Sequence, residues 1–193
     1  MKRVCVFCGS SSGDAPVYLE TTRRLGALLA RRGLGLVFGG GNIGLMGALA
    51  NATLDAHGEV VGVIPKALVA LELAHHGASA LWVVASMHER KARMVDLSDA
   101  FLALPGGYGT LDEFCEVLTW AQLGFHAKPC GLLNVAGFYD PFLAQIDHAV
   151  TKRFIRPEHR SLLIVDDDAE RLLDRLASFQ APELPKLIDR DQT

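Results

Sequence analysis

The sequence has no run of apolar residues approaching the roughly 20 needed to cross a bilayer, and no excess of basic charge. Its formal net charge is −3 over 193 residues. A protein that grips nucleic acid by a global basic field is therefore not expected, although a single phosphate can still be held locally. Metal-site spacing is also missing. Of the four cysteines, Cys5 and Cys8 are spaced as C-x-x-C, but no second cysteine pair or histidine pair at ligand spacing follows. The pair lies in an apolar run that reads as a strand, where residues three apart point to opposite faces. Reduced, buried thiols are expected there, and no metal. There is no G-x-x-x-x-G-K-[ST] segment, so a P-loop nucleotidase is not expected. Internal repeats, low-complexity tracts and a domain linker are absent as well.

What is present is the composition of a folded domain, half apolar and 21% charged. The opening Met1–Ser12 has an apolar stretch, Val4–Cys8, too short for a secretory h-region and ended by glycine. A cytoplasmic protein without membrane association is expected. Short apolar runs alternate with longer amphipathic ones. Strands are expected at Val4–Cys8, Leu34–Phe38, Val60–Ile64, Leu81–Val84, Phe101–Leu104, Gly131–Asn134 and Leu162–Val165. Helices are expected at Tyr18–Arg32, Gly44–His57, Met87–Leu97, Thr110–Leu123, Pro141–Val150 and Ala169–Ser178. Strand–helix alternation with continuously apolar strands predicts an α/β fold, a Rossmann-like doubly wound parallel sheet in one domain over residues 1–180. Residues 181–193 read as a polar tail. Lys66–Ala80 is the one long connection, expected to form a short helix or a flap near a ligand.

In such sheets ligands sit outside the carboxyl ends of the strands. Three of those ends are rich in glycine: Gly9–Gly13, Gly39–Gly44 and Pro105–Gly109. The second matches G-x-G-x-x-G, the dinucleotide pattern. That fingerprint also needs an acid near the end of the next strand, yet Val60–Ile64 runs straight into Pro65, and Glu59 stands at the wrong end. An NAD-dependent oxidoreductase is disfavoured. The third end, Pro105-Gly106-Gly107-Tyr108-Gly109-Thr110-Leu111-Asp112-Glu113, turns a strand into a helix start, which is an anion seat. Thr110 adds a hydroxyl. Glu113 fits two roles, a capping-box partner of Thr110 or a carboxylate placed for chemistry beside a phosphate. Ser10–Ser12 line the ribose or phosphate, or form a polar turn. Met87-His88-Glu89-Arg90-Lys91 opens another helix with cations, which oppose the helix dipole unless a bound anion is near. A solvated charged face is the other reading.

These segments together resemble the LONELY GUY (LOG) family, the cytokinin riboside 5'-monophosphate phosphoribohydrolases, whose members were often labelled lysine decarboxylases. The resemblance runs from about Arg3 to about Asp167 and rests on Gly39–Gly47, Met87–Lys91 and Pro105–Gly124. The M-H-x-R-K and P-G-G-x-G-T-x-x-E motifs are highly specific in combination. It implies a catalytic pair at Arg90 and Glu113, and nucleotide contacts at Arg90, Lys91, the loop Gly107–Glu113 and Thr119. Within that loop these are Gly107, Tyr108, Gly109, Thr110, Leu111, Asp112 and Glu113. Gly106, Gly40, Gly41 and Ser10 are further candidates. A family glutamate contact falls on Glu72, where Leu71–His76 departs from the plant pattern. The resemblance also implies a homodimer, a nucleoside 5'-monophosphate substrate, and no cofactor. Glu113 would stabilise an oxocarbenium-like ribosyl cation or orient water. Arg90 would fix Glu113 and substrate or assist departure of the base, and would keep Glu113 ionised. Loss of either side chain is expected to abolish turnover with the fold intact. An AMP nucleosidase of the same fold and a non-catalytic carrier of nucleotide or molybdenum cofactor remain as alternatives.

Overall fold

The computed structural model describes residues 1–70 and 73–182. Seven parallel strands form one sheet in the order β4-β3-β2-β1-β5-β6-β7. They are β1 (Arg3–Phe7), β2 (Gly35–Phe38), β3 (Val60–Pro65), β4 (Ala80–Val84), β5 (Ala100–Ala103), β6 (Cys130–Leu133) and β7 (Leu163–Asp166). The chain builds outward from β1 in one direction, then returns to pair β5 against its other edge. That reversal opens the crevice typical of doubly wound sheets between the ends of β1 and β5.

Alternation along the strands divides the core in two. Val4, Val6 and Cys8 join one apolar cluster with Leu25 and Leu29 of α1 (Pro16–Arg31), Leu45 and Leu49 of α2 (Gly44–Asp55). Cys5 and Phe7 join the other cluster, with Met94 of α4 (Met87–Asp96) and Phe114 and Val117 of α5 (Tyr108–Gln122). The inner strands are thus covered on both faces, which is why they carry almost no polar residues, while the edge strand β4 leaves Trp82 and Val83 exposed. The two cysteines of the C-x-x-C pair lie buried in different clusters, where burial raises both thiols, Cys5 well above its ordinary range. The long connection begins with a single turn, α3 (Lys66–Val69). Glu72 and the tail beyond Pro182 lie outside the described residues. The remaining helices are α6 (Asp140–Thr151), a one-turn α7 (Pro157–Arg160) and α8 (Ala169–Ala177). The sequence pattern did not foretell α7, because one turn carries no periodicity. No helix among the described residues is long and apolar enough to cross a membrane.

Two helix starts decide the site. At α4, the Ser86 hydroxyl accepts from the Glu89 N–H at 3.1 Å, and the Glu89 carboxylate accepts from the Ala85 N–H at 2.8 Å. This reciprocal cap fixes the start of the basic helix. At α5 no such cap forms. The helix begins at Tyr108, two residues earlier than the pattern predicts, with Gly107 as its N-cap and no side-chain cap. Thr110 and Glu113 are therefore not capping-box partners, and the Glu113 carboxylate goes elsewhere.

The β5 end is pinned from below. Tyr139, 1% exposed, donates its hydroxyl to the Leu104 carbonyl at 2.6 Å. Leu104 precedes the Pro105–Gly109 loop, so this bond anchors the base of the anion seat. Tyr139→Phe leaves that carbonyl without its partner and is expected to destabilise the protein by about 1–3 kcal/mol. At roughly 2–4 °C per kcal/mol for a chain this size, calorimetry resolves the shift, and an unchanged Tm refutes the anchoring role.

Candidate functional site

The three glycine-rich strand ends meet. The Gly9 N–H donates to the Pro105 carbonyl at 3.0 Å, and the Leu45 N–H donates to the Gly9 carbonyl at 3.1 Å. The contact is backbone on backbone, and a side chain would prevent it. A methyl group at Gly44, whose φ is +57°, would overlap the Ser10 backbone, and one at Gly106 would overlap the Thr110 hydroxyl. Gly9, Pro105, Gly106 and Gly107 line a cleft of about 280 Å³ with Ser10, Ser11, Leu45, Tyr18 and Phe138. By contrast, a side chain at Gly107 or Gly109 would meet nothing within 4 Å. These two residues open the helix start to the exterior, where its uncapped N-terminus can receive an anion.

Beside that helix start lies the Arg90–Glu113 pair. Arg90 Nη1 donates to Glu113 Oε1 at 2.6 Å, with the two side chains only 8% and 11% exposed. Nη1 also approaches the Met87 sulfur at 4.0 Å, and the two other nitrogens of the guanidinium bond to backbone. Its Nε donates to the Val63 carbonyl at 3.1 Å and its Nη2 to the Gly39 carbonyl at 3.3 Å. Two strand ends, β3 and β2, thus set the plane of the fork, and α5 supplies the counter-charge. Gly39 has to be glycine here, since a methyl group would overlap the guanidinium. Arg90 is not part of a solvated face.

Lys91 turns to the same helix, with its Nζ 2.8 Å from Asp112 and 3.3 Å from Glu116. Burial lowers the Lys91 ammonium, but Asp112 and Glu116 outweigh it and hold the group above its ordinary range. The cations at the start of α4 are therefore balanced by carboxylates of α5, without requiring a bound anion.

Burial, the largest influence on Glu113, pushes its carboxyl up. Arg90 and Lys91 pull it down by less, so it lies above the ordinary glutamate range and holds a proton more readily than a surface glutamate.

The other sequence candidates separate into groups. Ser10, Gly106 and Gly107 line the cleft. Tyr108 stands 94% exposed at the rim, whereas Thr110 is 4% exposed beneath Gly106. Leu111 rests against the core, and Asp112 faces Lys91. Gly40 and Gly41 face the connection rather than the cleft, through a bond from the His75 N–H to the Gly40 carbonyl and a bridge between Gly41 and Ala74. Thr119 is not brought to the pair. Six residues beyond Glu113, about 9 Å along the helix and on another side, it lines a separate cavity of about 140 Å³ with Cys115, Phe142 and His159. The sequence reading missed Gly39, the carbonyl of Val63 and the Ser86–Glu89 cap. Only the last had a signal, the S-x-x-E spacing. Larger depressions exist elsewhere, as at the amino ends of the strands, but there Arg3 is spent on Glu59, and Asp99 on the backbone of Lys2 and Arg3.

Fold and site together define a doubly wound α/β protein with an anion-accepting loop cluster and a buried arginine–carboxylate pair at its switch point. A family model described as possible lysine decarboxylase matches residues 46–176. The cytokinin riboside 5'-monophosphate phosphoribohydrolase LOG of Oryza sativa subsp. japonica is 49% identical over 178 residues, 92% of this chain and 74% of the relative. LOG1 of Arabidopsis thaliana, a cytokinin riboside 5'-monophosphate phosphoribohydrolase, is 48% identical over 178 residues, 92% of this chain and 84% of the relative. The chain belongs to this LOG family. Among solved structures, the molybdenum cofactor binding protein of Rippkaea orientalis superposes with a TM-score of 0.70 at 23% identity, covering 92% of this chain and 97% of the other. The molybdenum cofactor carrier protein of Chlamydomonas reinhardtii gives 0.69 at 20% identity, over 92% of this chain and 99% of the other. These likenesses show the fold.

A carboxyl whose folded pKa is raised binds more protons folded than unfolded. Its contribution to stability is fully present below the unfolded pKa and is lost as pH rises through the folded one. In a carbon-13 carboxyl titration, Glu113 is expected to have a midpoint above the ordinary value of about 4.3. A midpoint at or below it would show that Arg90 outweighs burial.

Proposed function

We propose that this protein hydrolyses the N-glycosidic bond of cytokinin riboside 5'-monophosphates, N6-substituted forms of AMP, to free base and ribose 5-phosphate. The observation that carries this reading is the buried Arg90–Glu113 pair set beside the uncapped start of α5. The similarity to phosphoribohydrolases over most of the chain supplies the substrate class.

In this reading the 5'-phosphate binds the Gly106–Thr110 loop, and the ribose carbon bound to the base faces Glu113. The bond from that carbon to the base nitrogen breaks with its electron pair leaving on the base. The ribosyl cation so formed is stabilised by the Glu113 carboxylate. Water adds to the cation and gives its proton to Glu113, and the base ends by accepting one proton, so that water is consumed across the bond. A carboxyl raised by burial suits that transfer. Three N–H groups of Arg90 go to Glu113, Val63 and Gly39, which fixes the plane of the guanidinium against the carboxylate. This favours the role of orienting Glu113 over that of protonating the base. Lys91, Ser10, Gly40, Gly41, Glu72 and Thr119 complete the proposed nucleotide-binding set. Because Thr119 faces another cavity, its participation would come through the proposed homodimer. The reading invokes no cofactor and places the enzyme in the cytoplasm. Residues 1–180 form its single domain.

An AMP nucleosidase differs only in the base. A carrier of molybdenum cofactor is supported by fold alone, and it gives no work to a carboxylate held at 11% exposure against an arginine.

Alanine at either member of the pair would leave a buried charge unmatched, at about 3–5 kcal/mol. The fold therefore cannot be assumed intact in those variants, and Glu113→Gln and Arg90→Lys are the better tests. Base release from isopentenyladenosine 5'-monophosphate, from AMP and from the two nucleosides is followed by chromatography. The expected outcome is release from the monophosphates alone, fastest with the isopentenyl base. Glu113→Gln should lower kcat on the order of 10²–10⁴-fold. An active Glu113→Gln enzyme sinks the mechanism, and folded wild-type protein that releases no base sinks the function.

A further inference from the structure

The long connection between β3 and β4 is fastened to the second glycine loop by a short antiparallel pairing. The Asn42 N–H donates to the Leu73 carbonyl at 2.9 Å, the His75 N–H donates to the Gly40 carbonyl at 2.8 Å, and Gly41 bridges Ala74. One residue upstream of Gly40, the Gly39 carbonyl accepts from Arg90. The connection also buries the His75 side chain beside Ala74. His75 is 7% exposed, its ring meets Phe38 edge to face at 6.1 Å, and its Nε2 lies 2.9 Å from Asn51 Oδ1 on α2. Its Nδ1 is buried and has no hydrogen-bond partner among the described residues.

An imidazole with one bonded nitrogen and one orphaned nitrogen is a costly way to fill a core, at about 1–3 kcal/mol for the unsatisfied atom. An apolar ring would fill the same space without that cost. What the imidazole supplies is direction. The Asn51 bond fixes the ring about its own axis, and so fixes the backbone of Leu73–His75 against Gly40–Asn42. With Asn51 Oδ1 accepting, Nε2 is the donor.

We infer that His75, held by Asn51, is a positioning residue for the proposed reaction. It sets the carbonyl of Gly39 that orients Arg90, and it sets the chain that follows directly on Glu72 in sequence. It acts through others and touches neither substrate nor the reacting atoms. The inference rests on the proposed function, through the assignment of Arg90 and Glu72 to the substrate.

The test uses three variants of the full chain. Asn51→Ala removes the bond from an exposed helix position, where alanine is the better helix former, so folding is retained. His75→Phe keeps a ring against Phe38 and removes the bond. His75→Gln can return a donor toward Asn51. Kinetics on isopentenyladenosine 5'-monophosphate and on AMP are measured for each. Asn51→Ala and His75→Phe are expected to lower kcat/KM about tenfold, within the hundredfold that a 1 Å misplacement can cost. The loss should fall unequally on the two substrates, so that their ratio changes. The double variant should be no worse than the poorer single one, and His75→Gln should recover part of the loss. A purely structural role would lower both substrates equally, in step with Tm, and that result overturns the inference while leaving the function standing. Wild-type protein inactive on both substrates overturns the functional reading, and this inference with it.

Discussion

A guanidinium sealed among strand ends must be neutralised, and this requirement organises the upper edge of the sheet. Arg90 reaches from α4 over the ends of β3 and β2 and finds its counter-charge on α5, which follows β5. Four elements distant in sequence are therefore tied at one point. The energy at stake is large only if the pair is broken. Two ions taken from water gain little from each other beyond the desolvation they suffer. The pair is thus weak grounds for explaining stability and better grounds for explaining placement. It holds a carboxylate at a defined point beside an anion seat, with its proton affinity raised.

The glycines answer to the same constraint from the backbone side. Gly39 leaves the space that the guanidinium occupies, Gly44 lets α2 start against Ser10, and Gly106 lets the β5 loop lie on Thr110. These are packing necessities, and they account for glycine at the first and last positions of G-x-G-x-x-G, Gly39 and Gly44. The pattern records how closely backbones approach. What approaches them is decided by the side chains alongside, here Arg90 and Glu113 and not an acid at the end of β3.

The sheet was legible in the sequence because its inner strands are buried on both faces and appear as apolar runs; β1, β2, β3 and β5 are also closed by glycine or proline. All seven strands fall within a residue or two of their expected bounds. The Arg90 and Glu113 positions were legible only through the combination of two motifs. Their local patterns pointed elsewhere, to a charged face and to a helix cap. A capping box needs its serine or threonine at the N-cap, and Thr110 misses that position because glycine at 107 lets the helix begin early. The tertiary partners of Arg90 are backbone carbonyls, which every residue carries, so no sequence signal marks them. His75 carries no sequence signal for a similar reason: its partner Asn51 lies 24 positions away, on α2.

The raised carboxyl and the fixed arginine argue for a division of labour. A donor that has spent its hydrogen bonds on carbonyls is rigid and a poor source of protons, since a guanidinium does not release one in the working pH range. A carboxyl lifted by burial is the opposite, a group that takes a proton more readily than a free glutamate. In the proposed reaction, proton movement then belongs to Glu113 and geometry to Arg90. The uncapped start of α5 supplies the remaining requirement, fixed partial positive charge for an anion at no reorganisation during reaction. A capping side chain at residue 107 would satisfy the helix and occupy the seat. Glycine there leaves the helix less stable alone and leaves its N–H groups available to a ligand, which is the exchange of stability for function expected at a binding site.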